Sequence, residues 1–195
     1  CHIFAHPLSR PGEPILTLIN HPPTSEQPEK VAYRKPQPWG MVPDMVVPDA
    51  LGEHDDRLWA PIGPDAWSRP LHLNPTAGFY THVLKVQRAG VFARHRHSGQ
   101  VHAYVFKGSW HYLEHDWVAE AGSYVFEPPG ETHTLCVTDG CEEMITLFTV
   151  HGSLMYVDPD GNQAGYDDVF TRMDKYRAHY EEVGLGGDFI KQFMR

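Results

Sequence analysis

A chain of 195 residues, 41% of them hydrophobic, can build one domain around its own core. Its net charge of −9, with histidines neutral, excludes a general nucleic-acid binder or a docker to anionic membranes, since both need clustered Lys and Arg. No apolar run approaches the length of a membrane span and the start does not resemble a signal peptide, so a cytoplasmic protein is expected. The first residue is Cys1 rather than Met, which leaves the natural start open. Cys1, Cys136 and Cys141 are odd in number and lack CxxC spacing, so reduced thiols are expected rather than a disulfide framework or a zinc knuckle.

Proline divides the chain. Fourteen of the 17 prolines lie between Pro7 and Pro75. Proline interrupts ladders and helices alike, so residues 1–50 read as an extended Pro-rich arm, and 51–195 as the domain proper. Two readings of the arm stay open. It is a loose tail, particularly from His21 to Lys35, or it lies over the barrel or a neighbouring subunit through Trp39, Met41, Met45 and Val47. The second reading implies a homodimer or homotetramer.

From about Leu58 the pattern is that of strands. Phe79 to Gln87 alternates, with Tyr80, His82, Leu84 and Val86 on one face. Val101 to Phe106 is rich in β-branched and aromatic residues and turns at Gly108-Ser109 into Trp110 to Glu114, which reads as a hairpin. Ser123 to Glu127 runs into Pro128-Pro129-Gly130, a strong turn signal. His133 to Val137, Met144 to Val150 and Leu154 to Val157 follow, and Asp158 to Asn162 closes the β region. From Asp168 to Val183, apolar residues recur every three or four positions: Val169, Met173, Tyr176, Tyr180 and Val183. That is one face of a helix, with Asp167 as its cap and Gly184 as its end. Many short strands followed by one helix predict an all-β, double-sheet jelly-roll barrel with a C-terminal helix.

Fourteen histidines matter only where they converge. Residues two apart on a strand face the same way, so His95 and His97 can direct both imidazoles inward while Arg94 and Arg96 point out. The strand, turn and histidine of Gly122 to His133 return a third imidazole, His133, to the same place. These two segments resemble the two cupin motifs, one a glycine followed by HxH and the other a glycine, PxG and a histidine. The fold expected is therefore the cupin double-stranded β-helix, with a metal on His95, His97 and His133. The match is incomplete. Where many cupins have a glutamate ligand this chain has His102, and Val137 replaces a late asparagine. His102 is read as a fourth ligand or a nearby base. Three neutral ligands leave a divalent metal its full charge, which favours an anionic, chelating substrate such as an enolate or enediolate. Open positions on such a site suit Fe(2+) with O2, and the same ligands suit Zn(2+). Aromatic residues on the surrounding strands, Tyr80, Tyr104, Trp110 and Phe126 among them, predict a pocket for a flat aryl group. Glu114 is a second candidate base if its side chain faces inward.

The stretch Thr81 to Val137, and the later MYVDPDGNQAGYDDVF with the terminal helix, resemble cupin enzymes of the 2,4′-dihydroxyacetophenone dioxygenase type. The likeness spans roughly residues 55–195. It implies a non-haem iron enzyme that takes a small aromatic ketone and O2. Such an enzyme cleaves the bond between the carbonyl and hydroxymethyl carbons of an aryl α-hydroxyketone, giving a 4-hydroxybenzoate-type acid and formate. His102 or Glu114 would remove the substrate proton. Other readings are a β-diketone dioxygenase at the same site, a zinc or nickel hydrolase or isomerase, and a non-enzymatic cupin that senses a metal or ligand.

Overall fold

Burial alternates with a period of two along most of the chain after Ala60, and it produces strands rather than helices until the last thirty residues. The computed structural model describes residues 30–195. The chain divides into two units, Cys1–Val42 and Pro43–Arg195. Residues 30–42 of the first contain no helix or strand, and Cys1 and the 21–29 part of the polar stretch lie outside the described residues. The second unit holds twelve strands: β1 Ala60–Gly63, β2 Ala66–Asn74, β3 Phe79–Val86, β4 Gly90–His97, β5 Val101–Lys107, β6 Ser109–Tyr112, β7 Ala119–Glu120, β8 Tyr124–Glu127, β9 Thr132–Val137, β10 Met144–His151, β11 Leu154–Val157 and β12 Gln163–Asp167. The helix α1, Val169–Glu182, follows, and a 3-10 turn at Gly187–Phe193 ends the fold.

Two six-stranded sheets form, in the orders β1-β2-β3-β10-β5-β8 and β12-β11-β4-β9-β6-β7, with every pairing antiparallel. This is the cupin jelly-roll. Between the sheets lies the main core, with Tyr80, Trp110 and Tyr112 among its largest fully buried side chains. Burying one such aromatic is worth about 2–3 kcal/mol. A second cluster lies under the arm's last residues: Val47, Ala50 and Leu51 pack with Trp59, Leu71 and Val83. That part of the Pro-rich segment belongs to the barrel unit. No helix among the described residues is long and apolar enough to cross a membrane.

Three sequence expectations change. The predicted hairpin at Gly108 is a crossover, because β5 pairs with β8 and β10 whereas β6 pairs with β7 and β9 of the other sheet. Gly108 makes this switch at φ +72, where a Cβ would lie 2.3 Å from the Glu143 carbonyl oxygen. The helix cap is Asp168 rather than Asp167. Asp168 and Thr171 form a reciprocal capping box, which frees Asp167 for another task. Finally, β12 pairs with β11 where the sequence reading had already closed the β region.

Candidate metal centre

The alternation on β4 turns His95 and His97 inward and sends Arg96 outward, where its Nε donates to the Gly130 carbonyl. Next to β4 lies β9, whose His133 is the direct cross-strand neighbour of His95. The Pro128-Pro129-Gly130 turn thus delivers the third imidazole by register. One nitrogen from each of the three rings lies within 4.8 Å of the other two, and all three rings are buried. His95 and His97 approach Nε2 to Nε2 at 3.1 Å. Tyr112 stacks on His133 with ring centroids 3.6 Å apart and planes 7° apart, which fixes the orientation of that ring.

The electrostatics disfavour the charged form of two of these rings. Burial, with His97 and His133 close by, holds His95 well below the usual histidine range. Burial likewise lowers His133 to about 4, against the pull of Glu127. Neutral imidazoles present lone pairs, the form a metal needs.

A residue that the sequence reading passed over completes the cluster. Glu127, the last residue of β8, reaches across from the opposite sheet. Its Oε2 lies 2.9 Å from His97 Nε2 and 3.6 Å from His133 Nε2. Neither of its oxygens, nor His133 Nε2, has a hydrogen-bond partner, although all are buried. A buried carboxylate facing lone pairs is costly unless a cation lies between them. The donor set therefore fits a divalent metal. Period-two reading could have found Glu127, because it shares a face with Val125. The neighbouring aromatics Tyr124 and Phe126 drew the inward assignment instead.

That inversion explains the displaced candidates. On β5 the buried face is Val101, Ala103 and Val105, so His102 and Tyr104 point out of the barrel. His102 Nδ1 instead meets the Tyr124 hydroxyl at 2.6 Å. It is neither beside the cluster nor aimed at it. Phe126 is half exposed on the same outer face. Glu114 lies in an exposed turn beyond β6 and accepts from the Thr134 N–H and hydroxyl at 2.7 and 2.9 Å. It ties two segments together outside the barrel. Trp110 is buried but spends its indole N–H on Thr146.

The cavity beside the histidines encloses about 450 Å³, counted with its open mouth. None of Tyr80, Tyr104, Trp110 and Phe126 lines it. Its apolar walls come from Leu84, Phe92, Leu135, Phe148 and Leu154, and its polar ones from His82, Glu127, Tyr156 and Arg172.

A family model for the ChrR cupin-like domain matches residues 47–155. The chain belongs to that family. This places it among the cupin-like barrels without assigning a reaction. Several solved structures share the fold. An RmlC-like cupin protein from Ralstonia eutropha JMP134 is 34% identical, covering 65% of this chain and 83% of that one with a TM-score of 0.62. A cupin-like protein of unknown function from the same organism is 24% identical over 69% and 79% of the two chains, with a TM-score of 0.59. An acetylacetone dioxygenase from Acinetobacter johnsonii is 20% identical over 76% of this chain and 99% of its own, with a TM-score of 0.61. Comparison with curated proteins gave no match.

Proposed function

We propose that this cupin is a non-haem iron(II) dioxygenase that cleaves the carbon–carbon bond of an aryl α-hydroxyketone with O2, giving an aryl acid and formate. The observation that carries the reading is the convergence of three neutral, buried imidazoles with one unpaired buried carboxylate at the end of an apolar cavity. Iron(II), which His95, His97 and His133 would hold, would supply Lewis acidity toward the ketone and a path for electrons from the substrate to O2.

The rest is the work of the chain. Glu127 is the candidate to take the proton from the hydroxymethyl carbon or hydroxyl, since it is the carboxylate that lines the cavity beside the histidines. It replaces His102 and Glu114 in that role. Tyr112 holds His133 in plane, and Leu135, Phe148 and Leu154 keep bulk water from the reacting carbons. The reaction balances as one ketone and one O2 to two carboxylic acids.

The second reading is a β-diketone substrate, which the name of the Acinetobacter johnsonii protein suggests and whose enolate also chelates. Turnover under 18-O2 separates the two. We expect one labelled oxygen in the aryl acid and one in formate, and no reaction once the substrate hydroxyl is removed. Label in neither product means hydrolysis and overturns the proposal. Rapid oxidation of a β-diketone with an inert hydroxyketone transfers the case to the second reading.

A further inference from the structure

Across the cavity from the histidines lies a second polar cluster built by segments beyond the residues 47–155 that the family model matches. Arg172, in the first turns of α1, is 3% exposed, and its side chain lines the cavity. One amino group reaches Asp167 Oδ2 at 3.1 Å. Its Nε and Nη1 have no partner. A buried guanidinium that serves only as a strut would use its donors, because a buried N–H left unpaired is destabilising.

The Tyr156 and Tyr176 hydroxyls lie close to the guanidinium, but neither meets Nε or Nη1. Tyr156 donates its hydroxyl to Asp167 Oδ2 at 2.9 Å, and the Tyr176 hydroxyl is engaged with Ser68. The Tyr80 ring lies under the guanidinium at 5.5 Å, offering a face and not a lone pair. His82 turns its Nδ1 to Ser68 at 2.7 Å, and burial followed by the charge of Arg172 holds it well below its usual range. Asp167 is the one carboxylate here, and Lys175 pairs with it as well. Lys175 is half exposed, so within the buried wall Arg172 and Asp167 balance, and it is the donors of the guanidinium that are unmet. The same cavity connects it to the metal cluster, with the Tyr156 ring 6.4 Å from that of His95.

We propose that Arg172 is an oxyanion subsite: it receives an ionised oxygen substituent, a carboxylate in the first instance, at the end of the substrate remote from its chelating oxygens. The apolar walls of the cavity hold the ring, and the free Nε and Nη1 each offer a charge-assisted donor to the ligand's oxygens. An enediolate head meets the charge of the metal, and a carboxylate at the other end meets the orphaned N–H groups of Arg172. The substrate class narrows accordingly to hydroxyketones bearing an anionic group. This rests on the metal-site reading above.

Calorimetric binding to the full-length protein under argon tests it without turnover. Three ligands share the hydroxyketone head: 2-hydroxyacetophenone, its 4′-hydroxy analogue and its 4′-carboxy analogue. The carboxy compound is expected to bind at least tenfold tighter than the parent. The 4′-hydroxy compound should gain affinity as pH rises and its phenol ionises. In the paired variant Asp167→Asn with Arg172→Met, which removes both charges together, the preference should fall below threefold. Arg172→Lys, which keeps the charge but not the fork, should lose at least threefold of it. A wild-type preference under tenfold, a preference that persists above threefold in the paired variant, or no binding of the carboxy compound overturns the subsite. If the preference appears but no O2 is consumed, the reaction reading fails and the subsite stands.

Discussion

Replacing Glu127 by Gln has two effects of opposite sign. The carboxylate is buried, lacks any hydrogen-bond donor, and faces His97 Nε2 at 2.9 Å and His133 Nε2 at 3.6 Å. In the metal-free protein it is a buried carboxyl with no metal beside it. Its removal should stabilise that form by about 2 kcal/mol, since desolvation of an unpaired polar group costs on the order of 1–3 kcal/mol. For a domain of this size that is a rise in Tm of about 4–8 °C. In the metal-bound protein the same charge faces a cation. A unit pair at about 4 Å is worth about 4 kcal/mol at an effective dielectric near 20, part of which the desolvation cost offsets. Supporting groups of this kind typically change metal affinity by about 10- to 100-fold, and a loss in that range is expected. Thermal unfolding of the chelated protein and competitive chelator titration of the loaded one measure the two terms. A lowered Tm without metal, together with metal affinity within threefold of wild type, would refute the argument that a cation explains the orphaned carboxylate.

Elemental analysis should find most bound metal lost from His95→Ala, His97→Ala and His133→Ala, and a normal complement in His102→Ala, whose ring lies outside the barrel. Burial acts to raise the Asp167 carboxyl, but Arg172, Lys175 and Tyr156 outweigh it and hold it below the ordinary carboxylate range. Its contribution to stability is therefore present above the unfolded-state value and lost as pH falls through the folded one, so Asp167→Asn should flatten the acid limb of a pH–stability curve measured by urea unfolding. We also propose a homodimer or homotetramer that buries the outer face of β5 and β8, where Tyr104, Phe106, Tyr124 and Phe126 stand exposed. Light scattering should report a multiple of 22.1 kDa that falls to the monomer in Phe126→Glu, and a wild-type monomer would count against it.

The amino-acid sequence by itself determined the barrel, the terminal helix and the three histidines. HxH on a strand fixes two rings to one side by period alone, and a Pro-Pro-Gly turn ending two residues before β9 begins leaves His133 little choice of position. What it did not settle was which face of β5 and β8 turns inward. Val101, Ala103 and Val105 alternate with His102, Tyr104 and Phe106, so both faces are apolar and the pattern has no contrast to choose between them. Packing chose the small residues for the inside, where Trp110, Tyr112 and Phe148 from other strands already fill the space beside the imidazoles. That choice turned His102, Tyr104 and Phe126 out and brought Glu127 in. Arg172 was hidden for a related reason: on a helix whose apolar stripe is Val169, Met173, Tyr176 and Tyr180, a charged residue reads as solvent-facing. Only the approach of α1 to the barrel, with Asp167 released from capping and Tyr80 beneath, gives that charge a buried place.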